Sequence, residues 1–93
     1  MLNRQGLHLR VYGRVQGVYY RDFTRRHALR LKLTGWVRNL PDGTVEATAE
    51  GEKQQLLEFI TALKQGPPAS RVVDVEIIWQ EFTDKFPDFK ILA

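Results

Sequence analysis

Residues 11–21 read VYGRVQGVYYR, and this stretch passes from the pattern of a β-strand to that of an α-helix. Gly13 and Gly17 lie in the connection, where glycine allows conformations that turn successive N–H groups towards one point. Arg21 falls in the first turn of the predicted helix, where the positive end of the helix dipole disfavours a cation. Taken alone, the stretch predicts either a tight turn that carries a surface arginine or an anion-binding loop.

Hydrophobic periodicity on either side of this stretch predicts the remaining elements. In chain order they are a strand over 7–12, a helix over 20–31, strands over 35–39 and 44–50, a helix over 52–65, a strand over 73–79 and a short strand over 89–92. The LPDG turn at 40–43 joins the second and third strands as an antiparallel hairpin. In the fourth strand, Val73, Val75, Ile77 and Trp79 alternate with other residues and are predicted to share one face.

The element order β-α-β-β-α-β predicts an α/β sandwich of the ferredoxin-like type. Each of the two crossovers carries one helix, so both helices are expected on one face of a mostly antiparallel sheet. Many unrelated functions use this arrangement, and the fold alone therefore does not identify the chemistry.

Composition limits the class of protein. The chain has 93 residues, a net charge of +3 and a pI of about 9.5, which predicts one domain over 1–93 that tolerates an anionic partner. It contains no cysteine, which excludes a disulfide framework and a thiol nucleophile. No apolar run approaches the ~18 residues of a membrane span, and the first six residues lack the apolar region of a signal peptide. We expect a cytoplasmic monomer that binds neither membrane nor nucleic acid.

Two sequence blocks resemble the acylphosphatase family. The first, VYGRVQGVYYR, matches the phosphate-loop motif of that family from its aliphatic residue through Gly13 to Arg21. The second, GWVRNLPDGTVEATAEG at 35–51, matches the block that contains Asn39 and closes with Gly51. The blocks lie at the separation found in the family, and the resemblance covers essentially the whole chain.

The resemblance implies an enzyme that hydrolyses the carboxyl–phosphate anhydride of acyl phosphates to a carboxylate and inorganic phosphate. By position, it implies that Arg21 binds the phosphoryl oxygens and that Asn39 orients the attacking water. It also implies that the backbone N–H groups of the loop join Arg21, and these belong to Val15, Gln16, Gly17 and Val18. A guanidinium fork suits phosphate oxygens, and an amide can hold a water from both of its ends. We expect no metal and no cofactor, because a carboxylate leaves readily and phosphoryl transfer depends mainly on positioning and charge stabilisation.

Two residues depart from the pattern of the family. Tyr20 stands where phenylalanine or methionine is usual, and its hydroxyl therefore needs a partner or contact with water. Lys32 stands where glycine is frequent at the end of the first helix; a lysine in the left-handed conformation costs roughly 1 kcal/mol, so the helix is expected to end differently. Neither change affects Arg21 or Asn39.

The alternative function is a non-catalytic module of the same fold that binds an anion or a nucleic acid. The third strand carries glutamates and small residues rather than the paired aromatic residues of RNA-recognition domains, which disfavours RNA. His8 and His27 are expected to be packed or solvated rather than catalytic. Paired acids such as Asp42 with Glu46 or Asp74 with Glu76, and the basic helix residues Arg25, Arg26 and Arg30, are expected to serve turns or the solvated surface.

Overall fold

The structure is a computed structural model and describes residues 3–93, in which five strands and two helices follow one another. The elements are β1 (Arg4–Arg14), α1 (Tyr20–Arg30), β2 (Thr34–Asn39), β3 (Val45–Glu52), α2 (Lys53–Gln65), β4 (Arg71–Gln80) and β5 (Phe89–Ile91). Met1 and Leu2, which the predicted domain includes, lie outside the described residues. Each predicted element is present, with ends that differ from the prediction by at most three residues.

One mixed sheet contains all five strands in the order β4-β1-β3-β2-β5. The neighbours β4–β1, β1–β3 and β3–β2 are antiparallel, and only the short β5 runs parallel to its neighbour β2. The core residues of both helices join those of one sheet face, which confirms the predicted ferredoxin-like sandwich. In residues 3–93 the helices have 11 and 13 residues, and neither is long and apolar enough to cross a membrane.

The core follows from strand alternation. Leu7, Leu9 and Val11 of β1 are fully buried, because alternate side chains of a central strand point towards the helices. Val45 and Ala47 of β3 lie opposite them and are also buried. Burying each leucine of this kind contributes roughly 2 kcal/mol, so the alternation of β1 decides which face the helices cover.

The prediction for β4 is wrong at Val73. Tyr12 pairs with Asp74 but Gly13 pairs with Val72, so β4 carries one extra residue at a β-bulge. Val73 is that residue, and it is 72% exposed. Val72 packs against the core on the far side of the bulge. Trp79 pairs with Leu7 of β1 and shares its face of the sheet, but it stays 40% exposed because β4 is an edge strand.

The end of α1 explains how Lys32 is tolerated. The expected change of the helix end does not occur, and Lys32 adopts the left-handed conformation with φ 59°. Its N–H donates to Leu29 O (3.1 Å), and the N–H of Leu33 donates to Ala28 O (2.9 Å). These two bonds are the pair that closes a helix in a Schellman motif, so they offset the cost of a side chain at a position that favours glycine.

Candidate active site

One cavity lies where the sheet, the loop after β1 and the start of α1 meet. It has a volume of about 430 Å³. Its wall is formed by Val15, Gly17, Tyr19, Arg21, Asp22, Asn39 and Ile91. The loop after β1, the first turn of α1, the end of β2 and the end of β5 thus contribute to one surface. The sequence placed Arg21 and Asn39 together only through the family resemblance, and the structure places them in the same wall.

The loop at 15–19 presents backbone donors without acceptors. Within residues 3–93, none of the N–H groups of Val15 to Tyr19 donates to a backbone or side-chain acceptor. Tyr19 precedes α1 in a left-handed conformation (φ 62°) and provides no side-chain cap for the helix. Unpaired N–H groups at a helix start favour a negative partner. The loop therefore has the donors that an anion requires.

Arg21 adds a formal positive charge to this group of donors. Its side chain is half-buried in the cavity wall. In the described part of the chain it forms no ion pair within 4 Å, whereas Arg26 on the same helix pairs with Asp22 at 3.0 Å. Asp22, the acidic residue nearest to Arg21 in sequence, is thus engaged elsewhere. The Arg21 guanidinium is available to an anion from outside.

Asn39 contributes the other notable polar group of the cavity. It is the last residue of β2, and its side chain lines the same wall as Arg21. Its Oδ1 atom is buried and accepts no hydrogen bond, and among residues 3–93 it is the only buried side-chain oxygen or nitrogen in that state. A buried acceptor without a donor costs about 1–3 kcal/mol. Such a cost at the end of a strand favours a role for Asn39 with a bound molecule.

The remaining predicted loop residues divide into two groups. Val15 and Gly17 line the cavity, and Gly17 has φ 72° with open space where a side chain would be. Val18 is buried in the core (5% exposed), so only its backbone could contact a ligand. The Gln16 side chain lies outside the cavity wall, because its Nε2 donates to Leu40 O (2.8 Å) and Thr44 O (2.9 Å).

Two apolar residues of the wall were not predicted from the sequence. Tyr19 is 83% exposed and Ile91 is 40% exposed, so they form an apolar rim at the mouth of the cavity. The sequence indicates a short strand over 89–92, but nothing in it indicates that this strand pairs with β2 and brings Ile91 into the same cavity wall as Asn39. Tyr19 directly follows the predicted loop and lies two residues before Arg21, and this position could have indicated that its side chain lies near the site.

The turn between β2 and β3 is held by its own hydrogen bonds. Asp42 Oδ1 accepts from the N–H (3.0 Å) and the Oγ1 (2.6 Å) of Thr44, and Asp42 thus serves the turn, as expected from the sequence. These bonds, together with the contact to Arg10, hold the pKa of the Asp42 carboxyl below its ordinary value. Asp42 is therefore an ionised turn residue, and its partners come from β1 and from the turn itself.

The two histidines, which the sequence analysis did not assign to catalysis, contact other side chains of the protein. His8 Nε2 lies 2.7 Å from Glu46 Oε2, away from the cavity. His27 packs its ring on Phe23, and partial burial together with Arg30 and Arg26 lowers its pKa. Within residues 3–93, no group of three or more histidine, aspartate or glutamate side chains could hold a metal ion.

A second cleft of about 470 Å³ lies at the opposite end of the sheet, near the starts of β1 and β2. Glu50 in its wall is 4% exposed. Its carboxylate already accepts from the Thr83 N–H (3.0 Å), the Thr83 hydroxyl (2.7 Å) and the Asp84 N–H (2.9 Å). These bonds hold the segment between β4 and β5 against the sheet. The cleft therefore contains a satisfied structural carboxylate, whereas the first cavity contains unpaired donors.

The fold and the first cavity define a class of protein, namely a ferredoxin-like sandwich with a loop of unpaired N–H donors between its first strand and first helix. The family model for acylphosphatase matches residues 7–91. Acylphosphatases of Thermococcus kodakarensis and Pelotomaculum thermopropionicum are 51% and 46% identical to this chain. The first match covers 99% of this chain and 100% of the relative, and the second covers 97% and 98%. The chain belongs to the acylphosphatase family.

Solved structures agree with this assignment. The crystal structure of acylphosphatase from Bacillus subtilis superposes with a TM-score of 0.93 at 38% identity, and the match covers 96% of this chain and 99% of that one. An acylphosphatase from Coxiella burnetii gives a TM-score of 0.87 at 38% identity, covering 97% and 94% of the two chains. These matches span nearly the full length of each protein.

Proposed function

We propose that the protein hydrolyses acyl phosphates in the cavity between β2 and α1, with Arg21 and the loop N–H groups binding the phosphoryl group and Asn39 orienting the water. The activity follows from the family: the protein is a hydrolase that acts on acyl phosphates. The roles of the individual residues are the proposal. One observation carries them, which is that a guanidinium without an ion pair and a buried amide oxygen without a donor line one cavity.

Binding of the phosphoryl group is assigned to residues 15–18 and Arg21. Unpaired N–H groups can donate to the equatorial oxygens, and the guanidinium can donate to two oxygens at once. Both kinds of donor stabilise negative charge that is present in the substrate and spreads over the oxygens in the transition state. This assignment predicts competitive inhibition by inorganic phosphate, which presents the same oxygens.

Asn39 is assigned the water. Its unpaired Oδ1 can accept one hydrogen of the water, which directs an oxygen lone pair at phosphorus. The P–O bond to the acyl oxygen then breaks, and the products are R–COO⁻ and H₂PO₄⁻ from R–CO–OPO₃²⁻ and H₂O. The carboxylate leaves without protonation, and the two protons of the water stay with the phosphate. No side chain of the protein needs to accept a proton.

We also propose that the reaction needs no metal, because the proposed donors of the loop and Arg21 already neutralise the phosphoryl charge. Turnover in excess EDTA is the expected result, and a loss that magnesium restores would contradict it. The monomeric state and the cytoplasmic location remain predictions from the sequence, and sedimentation and cell fractionation test them. The alternative of a non-catalytic anion-binding or nucleic-acid-binding module finds no support among the relatives.

Three alanine variants test the residue roles. Hydrolysis of benzoyl phosphate is followed in Arg21→Ala, Asn39→Ala and Arg14→Ala, and phosphate affinity is measured by calorimetry. Arg21→Ala is expected to lose both affinity and turnover. Asn39→Ala is expected to keep phosphate affinity and to lose kcat by about 100-fold or more, since the water matters mainly in the transition state.

Arg14→Ala is the matched control, because Arg14 lies in the same connection but is exposed and does not line the cavity. It is expected to keep the activity of the parent protein. If Arg14→Ala were inactive while Arg21→Ala stayed active, the assignment of the phosphate-binding arginine would be wrong. If Asn39→Ala lost phosphate affinity and kept kcat, Asn39 would bind phosphate and not water.

A further inference from the structure

Gln16 belongs to the proposed phosphate loop by its backbone, but its side chain leaves the cavity. The two hydrogens of its Nε2 are donated to two carbonyl oxygens, Leu40 O at 2.8 Å and Thr44 O at 2.9 Å. Both acceptors lie in the turn between β2 and β3, more than twenty residues away in sequence. The amide is half-buried, so water competes weakly for these bonds.

The two accepting carbonyls are the ones that close this turn. The N–H of Leu40 donates to Thr44 O (2.9 Å), and the N–H of Gly43 donates to Leu40 O (3.1 Å). The hydrogen bonds from Thr44 to Asp42 hold the turn further. Gln16 is thus joined to a turn that is already rigid, and Leu40 is directly bonded to Asn39. Movement of Gln16 would move the end of β2.

Sheet topology separates the loop from the end of β2. The loop follows β1 and Asn39 ends β2, but these two strands are not neighbours, because β3 lies between them. No ladder of hydrogen bonds joins β1 to β2 directly, although Arg10 of β1 donates to Thr44 Oγ1 (3.2 Å) and pairs with Asp42 in the turn. Within the described residues, Gln16 provides a direct polar link between the loop that would hold phosphate and the turn that would hold Asn39.

We propose that Gln16 is a positioning residue, whose side-chain amide fixes Asn39 relative to the phosphate loop. The proposal rests on the proposed function, in which the loop holds phosphorus and Asn39 holds the water. The distance and angle between water and phosphorus then depend on how the two segments are joined. A misplacement of about 1 Å can lower a rate by roughly 10²-fold, so loss of the link should reduce kcat far more than phosphate affinity.

The chemistry of glutamine is specific for this task. Two carbonyls must receive two hydrogens from one group, and a neutral amide supplies them without a charge beside the phosphate. Methionine has similar length and no donor. Glutamate donates nothing when ionised, but it donates one hydrogen when protonated. These two replacements therefore remove the link fully or in a way that depends on pH.

The test is a double-mutant cycle of Gln16→Met and Asn39→Ala, with Gln54→Met as control for the same substitution at an exposed position of α2. We expect Gln16→Met alone to lower kcat by about 10- to 100-fold while the inhibition constant of inorganic phosphate changes by less than about threefold. In the Asn39→Ala background, we expect Gln16→Met to leave the residual kcat unchanged, because the residue it positions is gone. Gln54→Met is expected to match the parent protein.

The outcomes separate this proposal from the proposed function. If Asn39→Ala lowers kcat and Gln16→Met does not, the positioning role is overturned and the function stands. If Gln16→Met lowers kcat by the same factor in both backgrounds, Gln16 does not act through Asn39 and the proposal is overturned. An Asn39→Ala variant with full kcat would overturn the assigned role of Asn39, and the positioning role with it.

Gln16→Glu keeps the test decisive if the methionine variant does not fold. Protonation restores one donor, so its kcat relative to that of the parent protein is expected to rise as the pH falls from 8 to 5. A ratio that stays constant over this range would overturn the proposal. The free energy of unfolding of each variant is measured in urea at both pH values, so that a change of kcat is compared only among folded proteins.

Discussion

The hydroxyl of Tyr20 satisfies a carbonyl that the helix itself leaves unpaired. In an α-helix, Leu63 O would accept from the N–H of residue 67, but residue 67 is Pro67 and has no N–H. Tyr20 Oη donates to Leu63 O instead, at 2.7 Å. Tyr20 is 2% exposed and Leu63 is fully buried, so water does not reach the carbonyl readily. Tyr20→Phe would leave this acceptor unsatisfied at a cost of about 1–3 kcal/mol.

Urea unfolding measures this cost directly. We expect the midpoint for Tyr20→Phe to fall with an unchanged m-value, and the melting temperature to fall by roughly 4–8 °C per kcal/mol for a domain of this size. Tyr19→Phe is the matched control, because the neighbouring Tyr19 is 83% exposed and should show no change. A midpoint for Tyr20→Phe equal to that of the parent protein would refute the reasoning, since the carbonyl would then be satisfied in another way.

Comparison of the parent protein with Tyr20→Phe at high pH provides a second test. Burial raises the pKa of the Tyr20 hydroxyl far above its ordinary value of 10.0. The unfolded chain therefore ionises at Tyr20 before the folded protein does. Stability from the buried hydroxyl is fully present below about pH 10 and is lost as the pH rises above it. The stability gap between the parent protein and Tyr20→Phe should narrow above that pH, and a constant gap would contradict the burial of the hydroxyl.

Two further predictions concern the rim of the cavity and the open face of the sheet. Tyr19→Ser removes apolar area from the rim, so KM for benzoyl phosphate should rise severalfold and KM for acetyl phosphate should change little; equal changes would exclude a contact with the acyl group. Glu46 accepts hydrogen bonds from His8 and Arg38, and these bonds outweigh the effect of partial burial and lower its pKa. The ionised Glu46 carboxylate should therefore stabilise the folded protein by about 1 kcal/mol at neutral pH, and this contribution should be lost below about pH 4.5. The difference in unfolding free energy between the parent protein and Glu46→Gln should shrink there, and Glu58→Gln, at an exposed position, should show no such trend.

Much of the fold could be predicted because strand alternation and helical periodicity are local signals. Leu7, Leu9 and Val11 alternate in sequence and are buried in the structure. Val73 was placed on the wrong face because a β-bulge is decided by the neighbouring strand. A Cβ atom at Gly13 would lie 2.1 Å from Arg71 O, so the close approach of β1 and β4 depends on a glycine elsewhere in the chain. The pattern of β4 alone does not contain that information.

The candidate site was predicted in part, because some of its features are local in sequence and others depend on distant residues. Arg21, Asn39 and the loop lie in two sequence blocks whose residue types suit phosphate and water. The need of Tyr20 for a partner was predicted too, but the partner was not, because Leu63 lies 43 residues away in α2. The hydrogen bonds of the Gln16 side chain could not be predicted either, because its partners are also distant in sequence. Its acceptors are backbone carbonyls, which carry no sequence signal of their own.

The proposed mechanism explains why this loop is held at three points. Gly13 fits its start closely against β4, Gln16 joins its middle to the turn between β2 and β3, and Tyr20 joins its end to α2. Between these points the loop adopts positive φ at Gly17 and Tyr19, and its N–H groups have no acceptor within residues 3–93. A loop segment without these three attachments would therefore favour another backbone conformation. A mechanism without a covalent nucleophile or a general acid depends on positioning. Three separate elements therefore hold the donors in place before the substrate arrives, and no rearrangement is needed when charge develops on the phosphoryl oxygens.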